Sequence, residues 1–335
     1  MKNRKTIIIA EAGVNHNGSF ELACRLVDAA ADAGADYVKF QTFRTENLVT
    51  RSVGAADYQK RNCNAESQFQ MLKNLELTFG EFRHLADYCR TRGIGFLSTP
   101  FDRESTDFLA SLGMDYMKIP SGELTNLPYL RHAAATRIPP IISTGMSTLS
   151  DVEGALSVFL DAGFSRSEII LLHCTTQYPT PFGDVNLRAM ETLRNAFGVQ
   201  TGYSDHTEGI EVPVAAVALG AAVIEKHFTL DRNMEGPDHK ASLEPSQLSA
   251  MVTSIRNIEA ALGSGIKHVA DSERENIRAA RKSIVAAEPI KKGEAFSENN
   301  LTVKRPGTGI SPMMWDDVLG RTAAYDFDPD DLIRL

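Results

Sequence analysis

An α/β fold, a (β/α)8 barrel followed by a small and mostly β domain, is what this sequence predicts, and three observations carry the prediction. Eight short apolar runs, at residues 6–12, 37–42, 95–100, 116–121, 141–144, 169–174, 199–204 and 222–228, alternate with stretches of helical periodicity. Glycines fall just past many of those helical stretches, where a left-handed cap is wanted. After Gly263 the alternation stops. Near-continuous apolar runs suit strands buried on both faces of a parallel sheet, and eight such units close a barrel whose active site lies at the carboxyl ends of the strands.

Taken in order, the first run follows a basic amino terminus and is broken at Glu11. It is too short for a signal peptide or a membrane span, which makes a cytoplasmic protein the expectation. Residues 20–33 carry Leu22, Ala23, Leu26, Val27 and Ala30 on one helical face and stop at Gly34. Gly93, Gly113, Gly163, Gly198, Gly220 and Gly263 punctuate the later helices in the same way. The polar segment 43–78 after the second run is too long for a plain connection and predicts a lid, a partner contact or local helix on the mouth side. Beyond Gly263 a charged stretch, Asp271 to Asn276, leads into short strands and turns. The expected organisation is a barrel over 1–263, a linker over 264–279 and a small domain over 280–335, whose ~55 residues give a marginal core of their own.

With 335 residues, 43% hydrophobic and 23% charged, the chain has the composition of an ordinary globular protein. A net charge of −8 argues against nucleic acid as a partner, so an anionic ligand has to be held by local positive charge. Cys24, Cys63, Cys89 and Cys174 show no CxxC spacing and read as reduced structural thiols.

The last two runs each deliver a histidine: His206 in Tyr203-Ser-Asp-His206 and His227 in Ile224-Glu-Lys-His227. On adjacent strands they would stand side by side at the mouth, as a pair of imidazole metal ligands, with Glu11, Asp205, Glu225 or Asp238 to complete or orient the shell. Such a set suits a borderline or hard divalent ion. Either histidine alone reads more readily as a hydrogen-bonded strand-end residue; the pair, with carboxylates beside both, favours the site. Lys39 and Lys118 sit in otherwise apolar strands, where a lysine needs an anion. Two of them at one mouth point to an anionic substrate, with structural Lys–Glu pairs as the competing reading. Hydroxyl and glycine turns around Thr99, Ser121 and Ser143 offer backbone N–H groups for phosphate or carboxylate oxygens. Glu11 and Glu123 end strands one and four and are candidate acids or bases. The turn around Asn15-His16-Asn17 lacks the GxGxxG of a dinucleotide fingerprint.

These motifs in order, Glu11 to Gly18, Val38 to Thr42, Phe96 to Phe101, Lys118 to Glu123, Ile142 to Met146, Leu172 to Pro181, Tyr203 to Thr207 and Glu225 to Leu230, resemble the sialic acid (N-acetylneuraminate) synthase family over essentially the whole chain. The tail, Lys304-Arg-Pro-Gly-Thr-Gly-Ile-Ser-Pro-Met313, is similar to that family's antifreeze-like (SAF) carboxyl-terminal domain. The resemblance implies a TIM barrel with a SAF domain, in a homodimer with exchanged domains. It implies condensation of phosphoenolpyruvate with an acylated mannosamine-type sugar to a nine-carbon 2-keto acid, with Mn2+ or Mg2+. N-acetylmannosamine is the expected sugar, and a 2,4-diacetamido-6-deoxy sugar leading to legionaminic acid is the alternative. Carried onto this chain, His206 and His227 become metal ligands. Lys39, Thr99, Lys118, Ser121, Ser143 and Ser204 would bind phosphoenolpyruvate. Glu11 and Asp238 would engage the sugar, Gln41 and Tyr178 would line its pocket, Glu123 would be a candidate acid or base, and Arg305 would reach the acylamino group from the partner protomer. The chain departs from some members at Thr176, where they carry Asn. A metal-dependent aldolase is a rival without the tail; a non-catalytic carbohydrate-binding protein leaves both histidines and both lysines unexplained.

Overall fold

The structure, a computed structural model, describes residues 5–50 and 67–335. Two compact units divide the chain, residues 1–264 and 265–335. The first is built on eight strands: β1 Ile7–Gly13, β2 Tyr37–Thr42, β3 Gly95–Pro100, β4 Met117–Ile119, β5 Pro140–Ser143, β6 Ile170–His173, β7 Gln200–Asp205 and β8 Val223–His227. Their order, β3-β2-β1-β8-β7-β6-β5-β4, runs round a barrel with every hydrogen-bonded pair parallel. β3 and β4 are neighbours across the seam. The fold is the TIM barrel that the repeating runs predict.

Local chemistry sets the limits of the elements. The helix Phe20–Asp32 starts where the Ser19 hydroxyl accepts from the Leu22 N–H, and it buries Ala23, Leu26, Val27 and Ala30. The helix Phe79–Arg92 begins with a Thr78/Glu81 capping box and stops at Gly93 in the left-handed region. The run 116–121 yields a strand of only three residues, because Pro120 cannot donate to a ladder and Ser121–Glu123 turns as a 3-10 helix. β1 carries a register irregularity between Glu11 and Gly13, where Gly13 takes a φ of 52°.

Of the polar segment 43–78, the described parts contain two short helices, Thr45–Leu48 and Gln68–Leu75, so local helix is the form it takes there. They help build a small apolar cluster of Val14, Phe43, Met71 and Leu75, with Leu48, Leu72 and Phe101 against it. Cys63 lies outside the described residues; Cys24, Cys89 and Cys174 are free thiols. Among the described residues no helix is long and apolar enough to cross a membrane.

The second unit opens with a short helix, Arg274–Ala280, and pairs β9 (Ser283–Ala286) antiparallel to β10 (Leu301–Lys304). Isolated antiparallel bridges link Val285 to Leu332, Ile290 to Phe327 and Ala295 to Thr322. Its core is Ile284, Ala286, Ile290, Phe296, Leu301, Val318, Ala323, Phe327 and Ile333. Arg305 follows β10 in an exposed turn.

Candidate active site

Side chains alternate along a strand, so the residues of β1, β2, β4, β7 and β8 that end in polar groups send them into the barrel mouth. There a cavity of about 460 Å³ is lined by Glu11, Lys39, Gln41, Thr99, Lys118, Ser121, Ser143, Tyr178, Ser204, His206, His227 and Asp238, twelve of the sequence-predicted site residues. Its size is that of a small-molecule site. Two predicted residues are not part of it. Glu123 does not line the cavity: it sits in the turn after β4, and its carboxylate accepts from Asn126 Nδ2 at 2.5 Å. Arg305 belongs to the second unit.

Part of the cavity lining is a charged cluster. Lys39 Nζ lies 2.6 Å from Glu11 Oε2 and 3.5 Å from Glu225 Oε2, and donates to Thr99 Oγ1 at 3.0 Å. Lys118 Nζ donates to Ser143 Oγ at 2.8 Å and lies 3.7 Å from Glu225 Oε1. Glu225 also accepts from Ser204 Oγ at 2.8 Å. Burial opposes ionisation of Glu225, but Lys118 and then Lys39 outweigh it and hold the carboxyl at about 2. Burial pushes Glu11 up to about 7 against the pull of Lys39, with the Glu225 charge adding to the rise. For Lys39 the downward pull of burial is outweighed by Glu11 and Glu225; for Lys118 burial wins and its pKa is lowered. With Glu225 charged and Glu11 free to take a proton near neutrality, the cluster can carry net positive charge inside an acidic protein. Both lysines are therefore ion-paired, and both also face open space.

Beside this cluster, with His227 opposite Glu11 in the β1–β8 register, stand the imidazoles, their ring centroids 5.5 Å apart and the Tyr178 ring 4.2 Å from His206. Burial lowers the pKa of both, so both are neutral. His206 Nδ1 lies 2.7 Å from the Thr175 carbonyl, which only accepts; Nδ1 therefore carries the proton and Nε2 keeps its lone pair. His227 Nδ1 is buried without a hydrogen-bond partner, 3.8 Å from Asp238 Oδ2. Burial pushes Asp238 up to about 6. Two neutral imidazoles, one with a fixed tautomer and one with a stranded nitrogen, fit a divalent cation. Among the described residues no group of three or more His, Cys, Asp or Glu side chains is placed to hold a metal ion, so beyond the two imidazoles water and substrate oxygens would have to supply the ligands.

Ser121 Oγ accepts from the Gly145 N–H at 3.0 Å and lies 3.3 Å from Cys174 Sγ. A Cβ at Gly145 would stand 2.3 Å from Thr176 Oγ1 and 2.8 Å from Ser121 Oγ, so any larger residue there would have to displace these hydroxyls. Gln41 Nε2 donates to Glu11 Oε1 at 3.2 Å.

Sequence reasoning missed two features. Glu225 entered it only as a carboxylate near the histidines, whereas it is the shared counter-ion of both lysines; the signal was two lysines in apolar strands that needed a partner. The apolar wall of Val14, Phe43, Leu48, Met71, Leu72 and Leu75 was hidden in a segment that reads as polar.

Residues 26–267 match the profile of the NeuB family, and residues 281–335 that of the SAF domain. The chain is 54% identical to the N,N'-diacetyllegionaminic acid synthase of Campylobacter jejuni over 332 residues, 99% of each chain. It is 49% identical to the enzyme of the same name from Legionella pneumophila, over 93% of this chain and 89% of that one. Among solved structures, the N-acetylneuraminic acid (sialic acid) synthetase of Leptospira borgpetersenii superposes with a TM-score of 0.72 at 37% identity, covering 82% of this chain and 91% of that one.

Proposed function

The chain belongs to the NeuB family, and from that premise we propose that it condenses phosphoenolpyruvate with an acylated, mannosamine-type aldose to give a nine-carbon 2-keto sugar acid and phosphate. The observation that carries the reading is the shared cavity: two buried lysines with three hydroxyls, and two neutral imidazoles beside them. A phosphorylated carboxylic acid matches the lysines and hydroxyls, and a hydroxyaldehyde the imidazoles.

Lys39 and Lys118, with Thr99, Ser121, Ser143 and Ser204, hold the phosphate and carboxylate of phosphoenolpyruvate. His206 and His227 would hold Mn2+ or Mg2+, which when bound would supply Lewis acidity for the aldehyde. The enol methylene carbon bonds to the aldehyde carbon, and the aldehyde oxygen takes up a proton. Water then adds to the former enol carbon, losing a proton, and the tetrahedral adduct expels phosphate to leave the keto group. Glu11, with its pKa near neutrality, is suited to carry a proton between these steps. The lysines stabilise the negative charge throughout. Asp238 and Gln41 bind sugar hydroxyls beside Tyr178.

The apolar wall favours one sugar over the other. A hydroxymethyl or phosphate group would lose hydration against Met71, Leu72 and Leu75, whereas a 6-deoxy methyl or an acetamido methyl gains by burial. Among the described residues lining the cavity, the only lysines or arginines are Lys39 and Lys118, both assigned to phosphoenolpyruvate, which leaves none for a sugar phosphate. The proposed acceptor is therefore the unphosphorylated 4-acetamido-6-deoxy analogue, in line with the 54% identical relative, rather than N-acetylmannosamine. Phosphate release from phosphoenolpyruvate, measured with each sugar with and without Mn2+, tests the reading. No release with either sugar defeats the condensation; faster release with N-acetylmannosamine defeats the choice of sugar.

The resemblance also supports a homodimer with exchanged SAF domains, in which Arg305 binds the acylamino group of a sugar held by the neighbouring protomer. A guanidinium suits a carbonyl acceptor. Mixing an inactive Arg305→Ala protein with an inactive His227→Ala protein should restore activity, since mixed dimers hold one intact site. No recovery after verified subunit exchange, or a fully active monomer, defeats it.

A further inference from the structure

Behind the imidazoles lies a second buried ion pair that the reaction does not use. β7 and β8 run in register, Ser204 opposite Glu225 and Asp205 opposite Lys226. Ser204, Glu225 and His227 line the cavity, so by strand alternation Asp205 and Lys226 point the other way, into the layer between strands and helices. Both side chains are fully buried there. Lys226 Nζ lies 2.5 Å from Asp205 Oδ2 and donates to the Thr207 carbonyl at 2.5 Å. Asp205 Oδ1 in turn accepts from the Thr207 N–H at 3.1 Å and from its hydroxyl at 2.9 Å. The two groups that Lys226 grips are thus the residues on either side of His206, and Lys226 itself is bonded to His227.

Stability does not account for this arrangement. A buried ammonium and carboxylate cost several kcal/mol of desolvation each, and well-packed apolar residues of similar volume are commonly as good or better. What an apolar pair cannot supply is direction. Three bonds on one turn fix the backbone before and after His206 relative to the residue preceding His227, and a metal site tolerates little error in ligand placement. We propose that Lys226 is a positioning residue that sets the spacing of His206 and His227 from behind the barrel wall; the inference rests on the metal reading above.

The test uses the full chain and two readouts: Mn2+ binding, followed by electron paramagnetic resonance of free Mn2+, and thermal unfolding. The double variant Lys226→Met/Asp205→Leu removes both charges together. It should unfold at a lower temperature, because the buried Thr207 N–H, hydroxyl and carbonyl lose their partners, yet remain folded at about 25 °C and bind Mn2+ ~10–100-fold more weakly, as losses behind a metal ligand do. Its activity should recover as Mn2+ is raised. A folded double variant with wild-type Mn2+ affinity overturns the proposal. Should the double variant not fold, Lys226→Gln removes the charge and shortens the reach to Asp205 and the Thr207 carbonyl; a folded Lys226→Gln protein with undiminished Mn2+ affinity overturns it equally. If the wild type itself binds no Mn2+, the metal reading falls and this proposal with it, an outcome distinct from wild-type binding that the variants leave unchanged.

Discussion

Two pairs of buried histidines occupy the strand-end layer of this barrel, and they differ in what their nitrogens meet. His206 and His227 line the cavity; His16 and His239 do not, although both are wholly buried. Burial lowers the pKa of all four, so charge does not separate the pairs. Hydrogen bonding does. His239 has partners for both nitrogens, Thr229 Oγ1 at 2.7 Å and Asn17 Oδ1 at 3.2 Å. His16 accepts from the Gly18 N–H at Nδ1, so its Nε2, stranded without a partner as His227 Nδ1 is, carries the proton and has no lone pair to offer a cation. His206 keeps a lone pair, His227 a stranded nitrogen, and both face open space. An imidazole becomes a ligand through an unspent lone pair with room in front of it, not through burial or a strand-end position.

The strongest way to break this comparison is to empty the cavity pair. His227→Ala should weaken Mn2+ binding by at least ~10-fold, since losses even one shell further out cost that much, and activity at low Mn2+ should fall with it. Full Mn2+ binding and turnover in this variant would place His227 with the structural histidines. Next in size is Lys118→Met, which removes a charge-assisted contact worth ~1.5–3 kcal/mol. The apparent KM for phosphoenolpyruvate should rise by roughly 10-fold or more with the sugar KM little changed. Equal sensitivity to both substrates would mean that Lys118 serves only its pairing with Glu225. A smaller effect is expected from Leu75→Ala in the apolar wall: the preference for the 6-deoxy sugar over N-acetylmannosamine should narrow by ~10-fold, the scale of one or two methylenes in an apolar pocket. An unchanged kcat/KM ratio would show that the wall does not read the sugar.

Much of this was legible in the sequence for physical reasons. Strands buried on both faces must be apolar throughout, so any polar residue at a run's end stands out, and Lys39, Lys118, His206 and His227 were all found that way. Glu123 was equally prominent, but Pro120 ends β4 early and the following 3-10 turn carries its carboxylate to Asn126. Strand-end position locates a residue near the mouth without fixing which way a turn aims it. The two histidine pairs were likewise inseparable beforehand: what distinguishes His16 from His206 is one hydrogen bond to a backbone N–H in place of one to a carbonyl. Lys226 passed as one more residue of an apolar run because period-two alternation had to be combined with register across β7 and β8 before its grip on both sides of His206 emerged.

The smallest expected effect on catalysis, and a distinct one on stability, concerns the structural pair. Burial lowers His16 from the ordinary 6.5 to about 4, with Glu81 opposing. Below pH 6.5 the unfolded chain therefore binds a proton that the folded chain refuses; the stability is fully present above 6.5 and is lost as pH falls toward 4. One such histidine changes stability by up to about 1.4 kcal/mol per pH unit, or roughly 2 kcal/mol between pH 6.5 and 5. Glu11 and Asp238, whose pKa values burial raises, act in the opposite sense over part of this range, so the wild-type slope alone is ambiguous. The difference between wild type and His16→Leu isolates the histidine. Urea unfolding at pH 7 and pH 5 should show the variant losing about 2 kcal/mol less than wild type over that interval, with Mn2+ affinity unchanged at pH 7. Equal losses in the two proteins would mean that His16 takes up its proton without resistance, and that its burial behind the cavity is not what sets it apart from the pair in front.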